Sequence, residues 1–139
     1  MADRVCFTVL GEPRGKGRPR FARKTGRAYT PERTAAYESL IAMEYRRQVG
    51  AAPVLDGCVA LRVDAYFGIP KSGTKARRER MERGELRPVK RPDADNILKA
   101  VADALNGVAY RDDAQIVACS LEKRYSSTPR LEVTVYGGV

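Results

Sequence analysis

One segment constrains the fold of this chain more than any other. Between Ala94 and Asn106, Ile97, Leu98, Val101, Ala104 and Leu105 recur at the spacing of a single helix face, and Val108 continues the series. Gly107 stands where a helix commonly ends in a left-handed residue, so the helix is expected to stop there. A helix with one apolar face must bury that face against a second layer. Four segments offer such a layer. Arg4–Leu10 (RVCFTVL) is rich in β-branched and aromatic residues, and Cys58–Phe67 (CVALRVDAYF) partly alternates. Ala114–Arg124 and Leu131–Tyr136 read as two further strands. A second helix is expected from Pro31, with Thr30 as N-cap and Gly50 as stop. Its apolar stripe is Tyr37, Leu40, Ile41 and Tyr45, with Glu44 as a polar exception. Thr74–Arg83 is polar almost all round and reads as a short exposed helix, and Gly11–Arg27 as a loop. The order β–α–β–α–α–β–β predicts an α/β class, more narrowly a mixed α+β single domain with a small mixed sheet and packed helices. At 139 residues the chain has room for one core.

Composition then narrows the chemistry. There is no histidine, which excludes His-based nucleophilic catalysis, a histidine general base and His-ligated zinc. The three cysteines, Cys6, Cys58 and Cys119, are scattered, so neither a disulfide framework nor a thiolate zinc site is expected, and a reducing cytoplasm is the simpler setting. No apolar run approaches the ~18 residues of a membrane span, and the first residues read as a strand rather than a signal peptide. Charge is unevenly spread. Residues 1–50 carry 11 basic and 5 acidic side chains, residues 51–92 carry 10 and 5, and residues 93–139 carry 5 and 7. A net charge of +9 points to a polyanionic partner, nucleic acid first among them. Carboxylates repel phosphates, so the acidic last third needs its own explanation, and a metal between carboxylate and phosphate would supply one.

That acidic third is dominated by Arg91–Gln115 (RPDADNILKAVADALNGVAYRDDAQ). Asp93 and Asp95 flank the start of the helix, Lys99 lies four residues beyond Asp95, and Asp112 and Asp113 follow just before a strand. Taken singly, these are a helix cap, a surface ion pair and a turn. Taken together, they describe a return of the chain that would bring carboxylates beside a lysine. Mg²⁺ is held by one or two carboxylates and substrate phosphates, and such sites hydrolyse phosphodiesters with metal-activated water. The lysine would steady the charge that develops in the transition state. Asp103 falls on the same helix face as Lys99 and is placed to orient it.

At these residues the sequence resembles the RusA family of Holliday-junction resolvases of bacteria and their phages. The signature is Arg91-Pro92-Asp93-Ala94-Asp95-Asn96-Ile97-Leu98-Lys99, then Asp103-Ala104-Leu105-Asn106-Gly107, then Asp112-Asp113-Ala114-Gln115-Ile116. An amino-terminal element, Pro13-Arg14-Gly15-Lys16-Gly17-Arg18-Pro19-Arg20-Phe21, matches as well. The resemblance spans nearly the whole chain, residues 1–139 being expected as one RusA-like nuclease domain. It implies a homodimeric, Mg²⁺- or Mn²⁺-dependent endonuclease that nicks four-way DNA junctions symmetrically. By position, Asp93, Asp95 and Asp113 correspond to the metal-binding catalytic carboxylates and Lys99 to the catalytic lysine, with Asp112 less essential.

The basic residues Arg14, Lys16, Arg18, Arg20, Arg23, Lys24 and Arg27 crowd one Gly/Pro-broken loop and are assigned to DNA contact. Gly11–Gly17 does not make a phosphate-binding loop for nucleotides: the spacing is one residue short and Gly17 stands in place of Ser/Thr, so no nucleotide cofactor is expected. Lys71, Lys75, Arg77, Arg78, Arg80 and Arg83 form a second cluster, interleaved with Glu79, Glu82 and Glu85. Phe21 reads either as a core anchor or as a wedge at a junction. Two other readings remain at this stage: a non-catalytic branched-DNA-binding protein, and a nuclease acting on flaps or forks.

Overall fold

In β4 (Val59–Gly68), Val59, Leu61, Val63, Ala65 and Phe67 all point to one face and are buried. β6 (Arg130–Gly137) repeats the pattern with Leu131, Val133 and Val135, and β1 (Arg4–Leu10) with Phe7 and Val9. This period of two fixes which side of the sheet becomes the core. The sheet runs β1–β6–β4–β5, where β5 is Ile116–Ser126. β6 is antiparallel to both β1 and β4, whereas β4 and β5 are parallel. Parallel neighbours need a long crossover, and residues 69–115 provide it.

That crossover holds α2 (Lys75–Glu82), capped by Thr74 whose hydroxyl accepts from the Arg77 N–H at 3.1 Å, and α3 (Ala94–Ala104). The core face is closed by α3 and by α1 (Glu32–Val49). α3 buries Ile97, Ala100, Val101, Ala102 and Ala104, and α1 buries Thr34, Tyr37, Ile41 and Tyr45. Each large aliphatic side chain so enclosed contributes ~1.5–3 kcal/mol. Phe7 and Tyr45 meet edge to face with ring centroids 5.3 Å apart. At the carboxyl end of α3 the buried Tyr110 hydroxyl donates to the Ala102 carbonyl at 2.6 Å, satisfying an acceptor the helix leaves over. Gly107 takes φ +71° just past this end, the conformation that the helix stop requires.

The computed structural model describes residues 3–17, 20–29 and 31–139. The Thr30 cap and Arg18 lie outside them, as do the side chains of Arg20, Phe21 and Tyr29. The mixed α+β domain and its element order agree with the sequence reading, with two local differences. α1 begins at Glu32, and Pro31 occupies the cap position rather than the first helical one. Part of the expected loop is a small hairpin, in which β2 (Arg20–Phe21) pairs with β3 (Ala28–Tyr29) and Gly26, at φ +66°, donates its N–H to the Ala22 carbonyl. Such a turn needs a residue at positive φ, which glycine supplies without strain. No helix among the described residues is long and apolar enough to cross a membrane.

Candidate active site

The first turn of α3 carries two aspartates with little structural employment. Asp93 has the extended backbone of an N-cap, yet its side chain makes no capping hydrogen bond. Asp95 sits in the first turn, exposed, and neither residue has an ion-pair partner among the described residues. A helix N-terminus favours negative charge, which explains why two carboxylates are tolerated here but not why they stay uncommitted. Asp93 borders an open depression of about 390 Å³ whose rim includes Arg14 and Arg91.

One turn along α3 the charges interlock. The Lys99 ammonium donates to Asp103 Oδ1 at 3.0 Å and to Asp113 Oδ2 at 3.4 Å. Its hydrogen bond to Asp103 outweighs the slight opposing effect of burial and, with Asp113, raises its pKa above the usual lysine value. The second oxygen of Asp103, Oδ2, lies 3.2 Å from Lys16 Nζ, which is also bonded to Glu38 of α1. Burial opposes charge on Lys16, but the two carboxylates together prevail and raise its pKa as well. The result is an alternating row, Glu38–Lys16–Asp103–Lys99–Asp113, that ties α1, the amino-terminal loop, α3 and the turn before β5 to one another.

That turn is built from its own side chains. Asp113–Gln115 forms a single 3₁₀ turn in which the Gln115 side-chain oxygen accepts from the Arg111 and Asp112 N–H groups, while its amide donates to the carbonyls of Leu55 and Gly57. The Asn106 side-chain oxygen accepts the Asp113 N–H at 2.8 Å. Directly afterwards the β4–β5 register shifts between Val59 and Ala60, leaving Val117 as an extra residue in β5. Bulges of this kind re-aim a strand beside a site.

The structure therefore brings Lys99, Asp103 and Asp113 together. It ties the turn to Lys99 in the middle of α3 and to Asn106 beyond its end. Among the described residues, no group of three Asp, Glu, Cys or His residues is close enough to hold a metal ion. The donor chemistry nonetheless suits a hard divalent cation, because the uncommitted groups are carboxylate oxygens and such ions accept one or two of these together with water and phosphate oxygens.

The assigned DNA-contacting residues divide. Arg14, Arg23, Lys24 and Arg27 are exposed, the last three around the small hairpin. Lys16 is different, with only 17% of its side chain exposed and its charge engaged by two carboxylates. In the second cluster, Arg80 and Arg83 pair with Glu85, whereas Lys71, Lys75, Arg77 and Arg78 have no carboxylate partner among the described residues. A groove of about 580 Å³ lined by Lys71, Lys75 and Arg78, and equally by Glu12, Glu79 and Glu82, shares no residue with the carboxylate site. Sequence reading passes over Glu38, which carries no local signal, and gives no role to Asn106 or Gln115. The fixed spacing of Asn106-Gly107 and Asp112-Asp113-Ala114-Gln115 is the available hint.

Carboxylates, a lysine held between two of them and, elsewhere in the chain, an exposed basic hairpin are residue types that phosphodiester cleavage calls for. Residues 11–136 match the family described as Endodeoxyribonuclease RusA, and the chain belongs to that family of Holliday-junction-resolving endonucleases. The chain is also similar to the uncharacterized protein YqaN of Bacillus subtilis (strain 168), with 37% identity over 140 residues covering 96% of each chain.

Proposed function

We propose that this protein resolves four-way DNA junctions by paired symmetric nicks, acting in the cytoplasm as a homodimer and using Mg²⁺, with Mn²⁺ as a substitute. The observation that carries the reading is the contrast within one helix: Asp93 and Asp95 are uncommitted, while Lys99 is held between Asp103 and Asp113. Of Asp93, Asp95 and Asp113, one or two carboxylates at a time would hold the cation, with water and phosphate oxygens completing its shell, and it would supply an activated water and polarise the phosphodiester. The chain's own residues do the rest. Lys99 presents a fixed positive charge to the phosphate as negative charge builds on it, and a charge already in place needs no reorganisation at that moment. Asn106 holds Asp113 by its backbone, so this carboxylate keeps its distance from Lys99. Arg14, Arg23, Lys24 and Arg27, with Arg18 and Arg20, bind the arms through phosphates. A junction has approximate two-fold symmetry, and a C₂ dimer presents two equivalent sites to it.

The test is cleavage of a synthetic mobile four-way junction in Mg²⁺ and in EDTA, comparing wild type with Asp95→Asn. Paired nicks that disappear in EDTA and in the variant, with junction binding kept, support the reading. Preferred cutting of flaps or forks across a panel of branched DNAs reassigns the substrate. Binding without metal-dependent cutting leaves a branched-DNA-binding protein.

A further inference from the structure

We propose that Lys16 is a positioning residue for Lys99, acting through Asp103, and not a contact to DNA phosphate. The inference rests on the nuclease reading only for its kinetic consequences. Its structural basis is the sharing of one carboxylate by two lysines, Asp103 Oδ1 with Lys99 at 3.0 Å and Oδ2 with Lys16 at 3.2 Å. Bonded at both oxygens, the carboxylate cannot rotate without breaking an ion pair, so Lys99 meets a fixed acceptor. The two lysines differ in access. Lys99 is 55% exposed and can meet a substrate, whereas Lys16 and Asp103 are each 17% exposed. A phosphate approaching Lys16 would have to face Glu38 and Asp103, both anionic.

The backbone around Lys16 is fixed just as firmly. Its N–H donates to the Asn96 carbonyl at 2.9 Å, and the next N–H, of Gly17, donates to the Thr34 hydroxyl at 2.9 Å. A Cβ on Gly15 would stand 2.9 Å from the Asn96 Cβ, and one on Gly17 would stand 2.7 Å from the Thr34 hydroxyl oxygen. Gly15-Lys16-Gly17 is thus a strap seated in the angle between α1 and α3, and its glycines permit close approach rather than motion. Removing the Lys16 charge leaves Glu38 and Asp103 facing each other across this angle with no cation between them, and Asp103 held by Lys99 alone. Asp103 then moves, and Lys99 with it.

The experiment compares wild type with Lys16→Met, Lys16→Arg, Asp103→Asn and the Lys16→Met/Asp103→Asn double variant, with thermal melting to confirm folding. Under saturating junction, Lys16→Met is expected to lower kcat by about tenfold or more, because catalysis is sensitive to displacements of about an ångström. Its junction affinity and salt dependence stay as in wild type, Lys16→Arg recovers most of the rate, and the double variant is no slower than Asp103→Asn alone. Weakened binding with a shallower salt dependence and unchanged kcat would overturn the proposal, as would losses that multiply in the double variant. A second readout stands apart from cleavage. Acylation of Lys99 by an amine-reactive ester, followed by mass spectrometry, is expected to change in rate several-fold in Lys16→Met. Unchanged Lys99 reactivity would overturn the proposal even if wild type cut no DNA, whereas a wild type that cuts nothing while Lys99 reactivity responds would remove only the nuclease reading.

Discussion

The side-chain oxygen of Asn106 accepts the backbone N–H of Asp113 at 2.8 Å, across the seven residues that turn the chain from α3 toward β5. Together with the Gln115 side chain, this bond sets where the turn begins. Replacing Asn106 with Ala is expected to cost ~1 kcal/mol of stability, the usual net worth of such a bond. The larger effect falls on turnover, because Asp113 loses its backbone anchor. Urea titration beside single-turnover cleavage separates the two, and a turnover loss no greater than the stability loss predicts would argue that the anchor is unimportant.

Gly15→Ala introduces a methyl group against Asn96 and Pro92, at 2.9 and 3.0 Å from their Cβ atoms. Overpacking of this kind costs ~1–3 kcal/mol. Calorimetric melting should show a clear drop, in contrast to Gly57→Ala, where no atom stands within 4 Å of the added group and strain from φ +70° is the sole penalty.

Tyr110→Phe removes the hydroxyl that donates to the Ala102 carbonyl inside the core. A buried acceptor left unpaired costs ~1–3 kcal/mol. The loss should appear in denaturant midpoints with no change in the denaturant slope, and a shift of only a few tenths of a kcal/mol would show that water or a neighbouring N–H replaces the bond.

Ser substitutions at Arg23, Lys24 and Arg27, one at a time and then together, test the hairpin as a phosphate-binding arm. For every phosphate that is no longer neutralised, the plot of log binding constant against log salt should flatten by ~0.9. Saturated turnover should stay near wild type. An unchanged slope in the triple variant would remove the hairpin from the interface.

The Lys16 ion pairs carry a pH signature. Folding raises the Lys16 pKa, so their contribution to stability is complete below the unfolded-state value of ~10.4 and fades only as pH climbs through the higher folded-state value. The difference in melting temperature between wild type and Lys16→Met should therefore hold level from neutral pH to about pH 9 and shrink in stronger base. A difference already falling between pH 7 and 9 would contradict the assignment.

Regular periods make most of the architecture legible in the sequence. β1 is bounded as its β-branched run suggests, and α3 follows its apolar series toward Gly107, because local spacing and burial agree there. Lys99 and Asp103 are readable as partners because helix geometry alone places residues four apart side by side. Lys16 is not readable in the same way. Counting charge assigns it to DNA with its neighbours, and only the docking of α1 on α3 brings Glu38 and Asp103 to it across 22 and more residues of chain. Asp113 is similar: spacing allows the turn to fall anywhere along α3, and Asn106 and Gln115 decide that it meets the middle.

The parallel pairing of β4 with β5 has a temporal consequence. Antiparallel strands can zip from a tight turn, but β5 can meet β4 in register only after the intervening stretch, α2 and α3 included, has crossed over the sheet. Asp113 lies at the last step of that crossing. The turn opposite Lys99 is therefore complete only once that parallel pair has formed, which makes the geometry around this lysine a product of the whole fold and not of any one segment.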